Sequence, residues 1–456
     1  MKKILNKSIR SLIPRLTPAK MIFGGFIILI LIGAILLCLP ISSERGQFTN
    51  FIDALFTSAS SVCITGLVIA DTNTHWSFFG KIIILILVQT GALGIMSVVT
   101  LFSAITGRDL GLSHRLALKE SISNFTLANI VTMFKGIFKA TILFEAIGAI
   151  LFSLTFIPEY GWKKGIGKSI FQSVSAFCNA GFDVLGSGNG QFLSLSGFYK
   201  DSLLLIVTSI LIIIGGLGFI VWDDLYRIRK FSRYTLHTKI VLLMTAVLIA
   251  AGTLAFFVLE ADNTLQKDSM PVKLLNSFFF SVSTRTAGFT TFNTGDMHPA
   301  SSIVTILLMF IGAAPGSTAG GIKTTTFFIL IITVITYLRG GKEVQAFKRR
   351  ITPDVINKSI AIFILSLFLI LITAIVLLYN DKISLEQALL EATSTFSTAG
   401  LSTGITPQLS GISKLQLIIT MLLGRVGIIT TFTAITGSAG KNNITYRYPE
   451  GKITVG

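Results

Sequence analysis

The chain has 456 residues, of which 52% are hydrophobic and 13% charged, about half the charged share of soluble domains. With a mean hydropathy of +0.77 it has too little polar surface to clothe soluble domains of this length, so composition specifies an integral membrane protein. Three cysteines exclude a disulfide scaffold, and the net charge of +17 points to nucleic acid or to membrane topology according to where the cations lie.

A helix needs about 20 apolar residues to cross the hydrocarbon core. The first such run is 21–41, preceded by Lys2, Lys3, Lys7, Arg10, Arg15 and Lys20 without an acid. No small-residue cleavage pattern follows Pro40, so the run reads as a retained helix. Further runs follow at 82–102, 131–157, 203–222, 240–259, 303–338 (interrupted), 359–379 and 415–435, eight in all. Segments 1–20, 106–130, 223–239, 339–358 and 437–456 together hold 23 basic and seven acidic residues; the opposite connections hold 11 and 13. The positive-inside rule puts both termini and the basic connections in the cytoplasm. Most of the charge is thereby accounted for by topology, and no nucleic-acid partner is expected.

The other connections contain apolar stretches too short to span, at 51–62, 170–177, 274–282 and 385–396. Each runs into small residues: Cys63-Ile64-Thr65-Gly66, Cys178-Asn179-Ala180-Gly181, Arg285-Thr286-Ala287-Gly288 and Ser397-Thr398-Ala399-Gly400. That is the pattern of a re-entrant half-helix followed by non-helical backbone, tolerated at membrane depth only where protein buries it or water lines it. The glycines recur every 107 to 115 residues, and the following helices echo one another at Gly91 and Gly94, Gly215-Gly216 and Gly218, Gly312 and Gly316, and Gly424 and Gly427. A dehydrated cation needs several oxygen ligands, and aiming successive carbonyls at one axis forces residues toward φ > 0, which glycine adopts at little cost. Four such loops around one axis make carbonyl rings of the potassium-filter kind.

The prediction is therefore an all-α integral membrane protein. Eight transmembrane helices and four re-entrant pore half-helices form four helix–pore loop–helix repeats around one pore, with the pseudo-fourfold symmetry of a potassium channel. The units are a basic N-terminus 1–20, repeats 21–105, 131–222, 240–338 and 359–436, and a tail 437–456. Residues 312–324 carry Gly312, Pro315, Gly316, Ser317, Thr318, Gly320, Gly321 and Thr324, a composition that predicts an unwound loop inside the sixth span. Lys323 and Arg425 are cations deep in spans, a costly placement that marks functional candidates. Arg285 is expected to pin the third loop through carbonyl hydrogen bonds. Glu145 is an acid in a span with no role assigned, and Trp76, Trp162 and Trp222 are expected to be interfacial anchors.

The ordered set of Val62–Leu67, Asn179–Phe182, Arg285–Phe289, Ser397–Leu401, Gly312–Thr324, Leu423–Gly427 and the tail motif Tyr448-Pro449-Glu450-Gly451 resembles the Trk/Ktr/HKT superfamily of cation transporters. Within it the similarity is to the KtrB-type potassium uptake subunit. The resemblance implies a potassium-selective filter, since HKT relatives with serine at the first filter glycine prefer sodium and this chain has Gly66 there. It implies that the 312–323 loop and Arg425 form an intramembrane gate. It also implies a homodimer in the bacterial plasma membrane and a cytosolic KtrA-type RCK ring, which binds the nucleotide and docks on 223–239 and 339–358.

In this chain itself no cofactor is expected; potassium is cargo. Gly215-Gly216-Leu217-Gly218 lies mid-span without a preceding strand, no Walker sequence is present, and His75, His114, His237 and His298 lack metal-ligand spacing, so no enzyme is predicted. A sodium-permeable or sodium-coupled relative is the alternative. An alternating-access carrier is a weaker one, since such carriers use inverted repeats and these four share one topology.

Overall fold

The computed structural model describes residues 18–94, 130–186, 194–228 and 230–436. Most of the basic N-terminus, the connection 106–129, the end of the first repeat and the tail with Tyr448–Gly451 lie outside them. The fold is all-α, apart from one two-stranded hairpin, β1 Gln345–Ala346 and β2 Arg349–Arg350.

Four long helices open the four units: α1 Pro18–Cys38, α4 Ile130–Tyr160, α8 Leu236–Glu260 and α12 Pro353–Asp381. All four contain a stretch long and apolar enough to cross a membrane. Each is followed by a half-helix of 13 to 16 residues: α2 Phe51–Cys63, α5 Trp162–Phe177, α9 Met270–Ser283 and α13 Leu385–Ser397. At a rise of about 1.5 Å per residue these reach only about 20–24 Å, short of the roughly 30 Å hydrocarbon core. Their starts are fixed locally: Asn50 caps α2, and Ser384 with Gln387 forms a capping box on α13.

Inner helices complete the units: α3 Phe78–Leu93, α6 Ser202–Leu217, α10 Pro299–Phe310 and α14 Gly411–Val426. The apolar runs 203–222 and 415–435 read from sequence as straight spans; both are broken. At Gly218 (φ 87°) the chain turns 95° into α7 Phe219–Arg227, and at Gly427 (φ 93°) it turns 103° into α15 Ile428–Thr436. Gly94 (φ 79°) ends α3 likewise, and the remainder of that run is outside the described residues. A left-handed residue cannot continue a right-handed helix. In the third unit the break is longer, with residues 311–323 separating α10 from α11 Thr324–Leu338.

Small residues set the spacing between helices. In three units a glycine of the long helix (Gly33, Gly148, Gly252) lies against a half-helix serine and an inner-helix leucine. The serines, Ser58, Ser173 and Ser281, donate to Ile30, Glu145 and Ile249 carbonyls at 2.6–2.8 Å. On the inner side Gly91, Gly215 and Gly424 press on the carbonyls of Val62, Phe177 and Phe396, each four residues before the loop glycine of its own unit. Each inner helix also touches the half-helix of the next unit, α3 on α5, α6 on α9, α10 on α13, and α14 back on α2. The circle closes at an ion pair of 2.9 Å between Lys414 and Asp53. Of the three tryptophans only Trp162 is exposed as an anchor would be. Trp76 is fully buried, with Gly80 against its ring, and Trp222 packs among Phe144, Phe177 and Phe219.

A methyl group at Gly215 would overlap the Phe177 carbonyl, whereas one at Gly216 would meet the Ala313 side chain at 3.3 Å. Gly215→Ala should destabilise the protein by about 1–3 kcal/mol, and Gly216→Ala clearly less, measured as thermal unfolding of detergent-purified protein. Equal midpoints for the two variants would contradict this packing.

Candidate functional site

The four predicted loops converge at the centre. The first and third residues of each three-residue step are left-handed: Ile64 (φ 60°) and Gly66 (82°), Asn179 (58°) and Gly181 (69°), Thr286 (73°) and Gly288 (78°), Thr398 (52°) and Gly400 (85°). Thr65, Ala180, Ala287 and Ala399, between them, are not. Sequence reasoning asked for one glycine per loop; the structure has two left-handed residues, one of them bearing a side chain. For β-branched Ile64, Thr286 and Thr398 this is a strained conformation, the kind kept at functional sites. Alternating handedness turns successive N–H groups to one side of the chain and carbonyls to the other.

The N–H side faces the half-helix. Thr65, Ala180, Ala287 and Ala399 donate to the carbonyls of Ser60, Ser175, Ser283 and Ser394 at 2.7–2.9 Å. In the first three units the same serine returns a bond, its hydroxyl donating to Leu67, Phe182 or Phe289. The hydroxyl of Ser394 has no partner among the described residues. These serines went unnoticed in the sequence, although one stands five or six residues before every loop glycine.

The glycines form a closed ring. A Cβ on Gly66 would fall within 3.0 Å of the Ala180 carbonyl oxygen, on Gly181 at 2.8 Å from Ala287 O, on Gly288 within 3.0 Å of Ala399 O, and on Gly400 within 3.0 Å of Thr65 O. Each loop thus abuts the next, and the fourth abuts the first. Four main-chain oxygens thus stand at the ring, and a ring of neutral dipoles can solvate a cation without trapping it.

Above the ring, on the side where the half-helices begin, lies a vestibule of about 370 Å³ lined by all four glycines. Below it is a second cavity of about 370 Å³, lined by Gly316, Ser317, Ala319, Gly321, Lys323 and Arg425 among others. The 311–323 segment crosses there. It is tied to the α6 break through Ala314 N to Gly216 O (3.1 Å), Thr318 N to Gly215 O (3.3 Å) and Phe219 N to Gly316 O (3.0 Å). Gly320 and Gly321 lie against Thr398 and Ser397 at the end of α13, and Gly312 against the Gly320 carbonyl. The Pro315 carbonyl oxygen lies close to Gly218 at the break.

Both intramembrane cations bind main-chain oxygen. Arg425 donates to Thr318 O, to Gly91 O at 2.7 Å and to Ala92 O at 3.4 Å. The latter two are the negative end of the α3 dipole. Lys323 donates to Ala319 O at 2.7 Å and Gly320 O at 3.4 Å. Arg425 therefore staples the crossing loop to the first inner helix. Arg285 departs from expectation: it is buried, points beside Asn179, Gly216 and Ala313 rather than into the ring, and its Nε has no acceptor among the described residues. Glu145 lies 3.8 Å from the Cys178 thiol, which also reaches Gln89 at 3.4 Å. Glu391, wholly buried behind the fourth loop, accepts from the Ser402 and Thr406 hydroxyls. No sequence spacing singled it out.

Residues 25–442 match the family described as TrkH, cation transport protein. The chain is 40% identical to the potassium/sodium uptake protein NtpJ of Enterococcus hirae, over 99% of this chain and 100% of that one. It is 38% identical to the Ktr system potassium uptake protein B of Bacillus subtilis, over 97% of each. The crystal structure of the potassium transporter TrkH from Vibrio parahaemolyticus superposes with a TM-score of 0.71, covering 92% of this chain and 85% of that one, at 17% identity, so the fold is shared.

The serine returns give a test internal to the molecule. Ser60→Ala removes the 2.8 Å bond to Leu67 O and should cost about 1 kcal/mol or somewhat more, because that buried carbonyl loses its donor. Ser394→Ala removes a hydroxyl with no partner among the described residues and should be near neutral. The two unfolding midpoints, measured side by side, check this.

Proposed function

The chain belongs to the TrkH cation-transport family, and on that footing we propose that it carries out potassium uptake across the bacterial plasma membrane, as the ion-translocating subunit of a Ktr-type system. The observation that carries this reading is the closed ring of four left-handed glycines, each against the next loop's carbonyl. Repeats 21–105, 131–222, 240–338 and 359–436 each supply one quadrant of a selectivity filter made of residues 63–66, 178–181, 285–288 and 397–400. Carbonyl oxygens replace the water of a dehydrating cation, and the serine latches hold the loops at one radius.

The basic connections set the orientation: both termini and the lower cavity face the cytoplasm, and the vestibule faces outward. The 311–323 segment then stands in the path below the filter as a gate, with Arg425 and Lys323 holding it. The name of the Bacillus subtilis relative speaks of a system, which supports a partner for this chain; in our reading that partner is a cytosolic KtrA-type RCK ring docking on 223–239 and 339–358, and the membrane subunit is a homodimer. Sodium permeation is the second reading. It is favoured by the potassium/sodium name of the Enterococcus hirae relative and distinguished by the experiment below.

At Gly66 any side chain meets both a left-handed φ and the Ala180 carbonyl, so Gly66→Ser must displace one quadrant of the ring. Potassium and sodium uptake by cells lacking other potassium importers should show selectivity falling about tenfold, the effect of roughly 1.4 kcal/mol at one ring. A parent that admits sodium as readily as potassium would establish the sodium reading. An unchanged ratio in the variant would remove Gly66 from the filter.

Arg425→Ala deletes the charge-assisted bond to Thr318 O, worth about 1.5–3 kcal/mol, and should raise the open population of the gate by roughly ten- to a hundredfold. Arg425→Lys should fall between, since it keeps the charge and loses the fork. Rubidium flux into proteoliposomes without the cytosolic ring is the measurement. Flux equal to the parent's in both variants would make the arginine a structural staple only.

A further inference from the structure

The residues two past each loop glycine are Val68, Asp183, Thr290 and Ser402, and all four line the vestibule above the ring. Equivalent positions thus form a second ring, directly outside the glycines, of which one quadrant is charged. Asp183 is the acid in this lining, and no lysine or arginine joins it among the described residues. One carboxylate oxygen accepts from Leu185 N at 3.2 Å, closing a short turn. The carboxylate makes no other hydrogen bond and no ion pair among the described residues, although it is only half buried.

Its charged surroundings keep it in that state. Lys168 on α5 spends its ammonium on the Val184 carbonyl at 2.5 Å and lies 4.0 Å over the Tyr160 ring. Lys81 on α3 donates to Asn73 O at 2.7 Å. Asp71, the other nearby acid, caps the turn at Asn73 and Thr74. The lysines therefore brace the wall through main-chain oxygens and leave the Asp183 charge to the vestibule.

We infer that Asp183 recruits the transported ion: its carboxylate holds a partly hydrated alkali cation at the mouth of the ring before the four loops strip the remaining water. The inference rests on the reading that the ring passes alkali cations. A single off-axis carboxylate in a narrow vestibule raises the local cation concentration without competing with the neutral carbonyls below it. Burial, with Asp71 adding to it, raises the Asp183 pKa from 3.8 to about 6. The carboxyl is charged above that pH and neutral below it, so recruitment is present at pH 7.5 and lost as the pH falls through 6 toward 5.

Asp183→Asn keeps the oxygen that accepts from Leu185 N and removes only the charge. In proteoliposomes of the full-length protein at low ionic strength and pH 7.5, the half-saturating rubidium concentration should rise about three- to tenfold. The effect should be concentrated there rather than in maximal rate, and high salt should shrink it. The parent should show a rise of similar size between pH 7.5 and 5, and the variant a flat profile. Asp183→Glu, which keeps a titrating charge, should retain the pH dependence. Half-saturation and pH profile unchanged in Asp183→Asn would overturn the inference, as would Asp183→Glu behaving like Asn, which would assign the effect to the turn. Absence of any alkali-cation flux in the parent would instead overturn the function on which the inference rests.

Discussion

The contact on which this structure turns is a glycine α-carbon against a main-chain oxygen of the neighbouring loop, repeated four times in a circle. A hydrogen in place of a side chain lets backbone meet backbone, and left-handed φ gives each loop its direction. The surrounding elements serve that closeness. The half-helices end where the loops begin, and their last-turn carbonyls take the loop N–H groups. The inner helices come close because Gly91, Gly215 and Gly424 sit on those same turns. A glycine in each layer lets the layer outside it approach.

The strain this arrangement stores is distributed. Ile64, Thr286 and Thr398 hold conformations that cost of order 1–3 kcal/mol each; around Ile64 and Thr286 the segment is held by the serine carbonyl before it and the serine hydroxyl after it. The fourth unit differs. Its serine hydroxyl has no partner among the described residues, and Glu391 accepts from Ser402 and Thr406 behind the loop. Nor is the lower side symmetric among the described residues, since there only the third inner helix is opened into a crossing loop and only the fourth supplies the arginine that holds it.

Much of this was legible in the sequence, because the bilayer imposes its own arithmetic. Apolar run length gave the long helices, the shortness of 51–62 and 385–396 gave half-helices, and repetition gave the four loops. What misled was apolarity itself: 203–222 is apolar apart from Thr208 and Ser209, and the φ of Gly218 shows that it is broken. The glycine echoes in the inner helices were visible, but their purpose was not, since the Phe177 carbonyl that Gly215 meets lies in another helix. Glu391 and Asp183 could not be picked out for a related reason. An acid in a connection looks solvated until the fold shows what it faces.

Because one chain supplies all four quadrants, the circle is closed by its two ends. Gly400 meets Thr65, and Lys414 pairs with Asp53 across 361 residues of sequence. During synthesis the first polar loop must wait in the bilayer, its seat incomplete, until the last unit is made. Closure is thus the most non-local step of assembly and pays its loop entropy last. A chain truncated before α14 would keep Gly400 but lose Lys414 and the packing of α14 on α2, and so leave the seam between the fourth and first units unfastened.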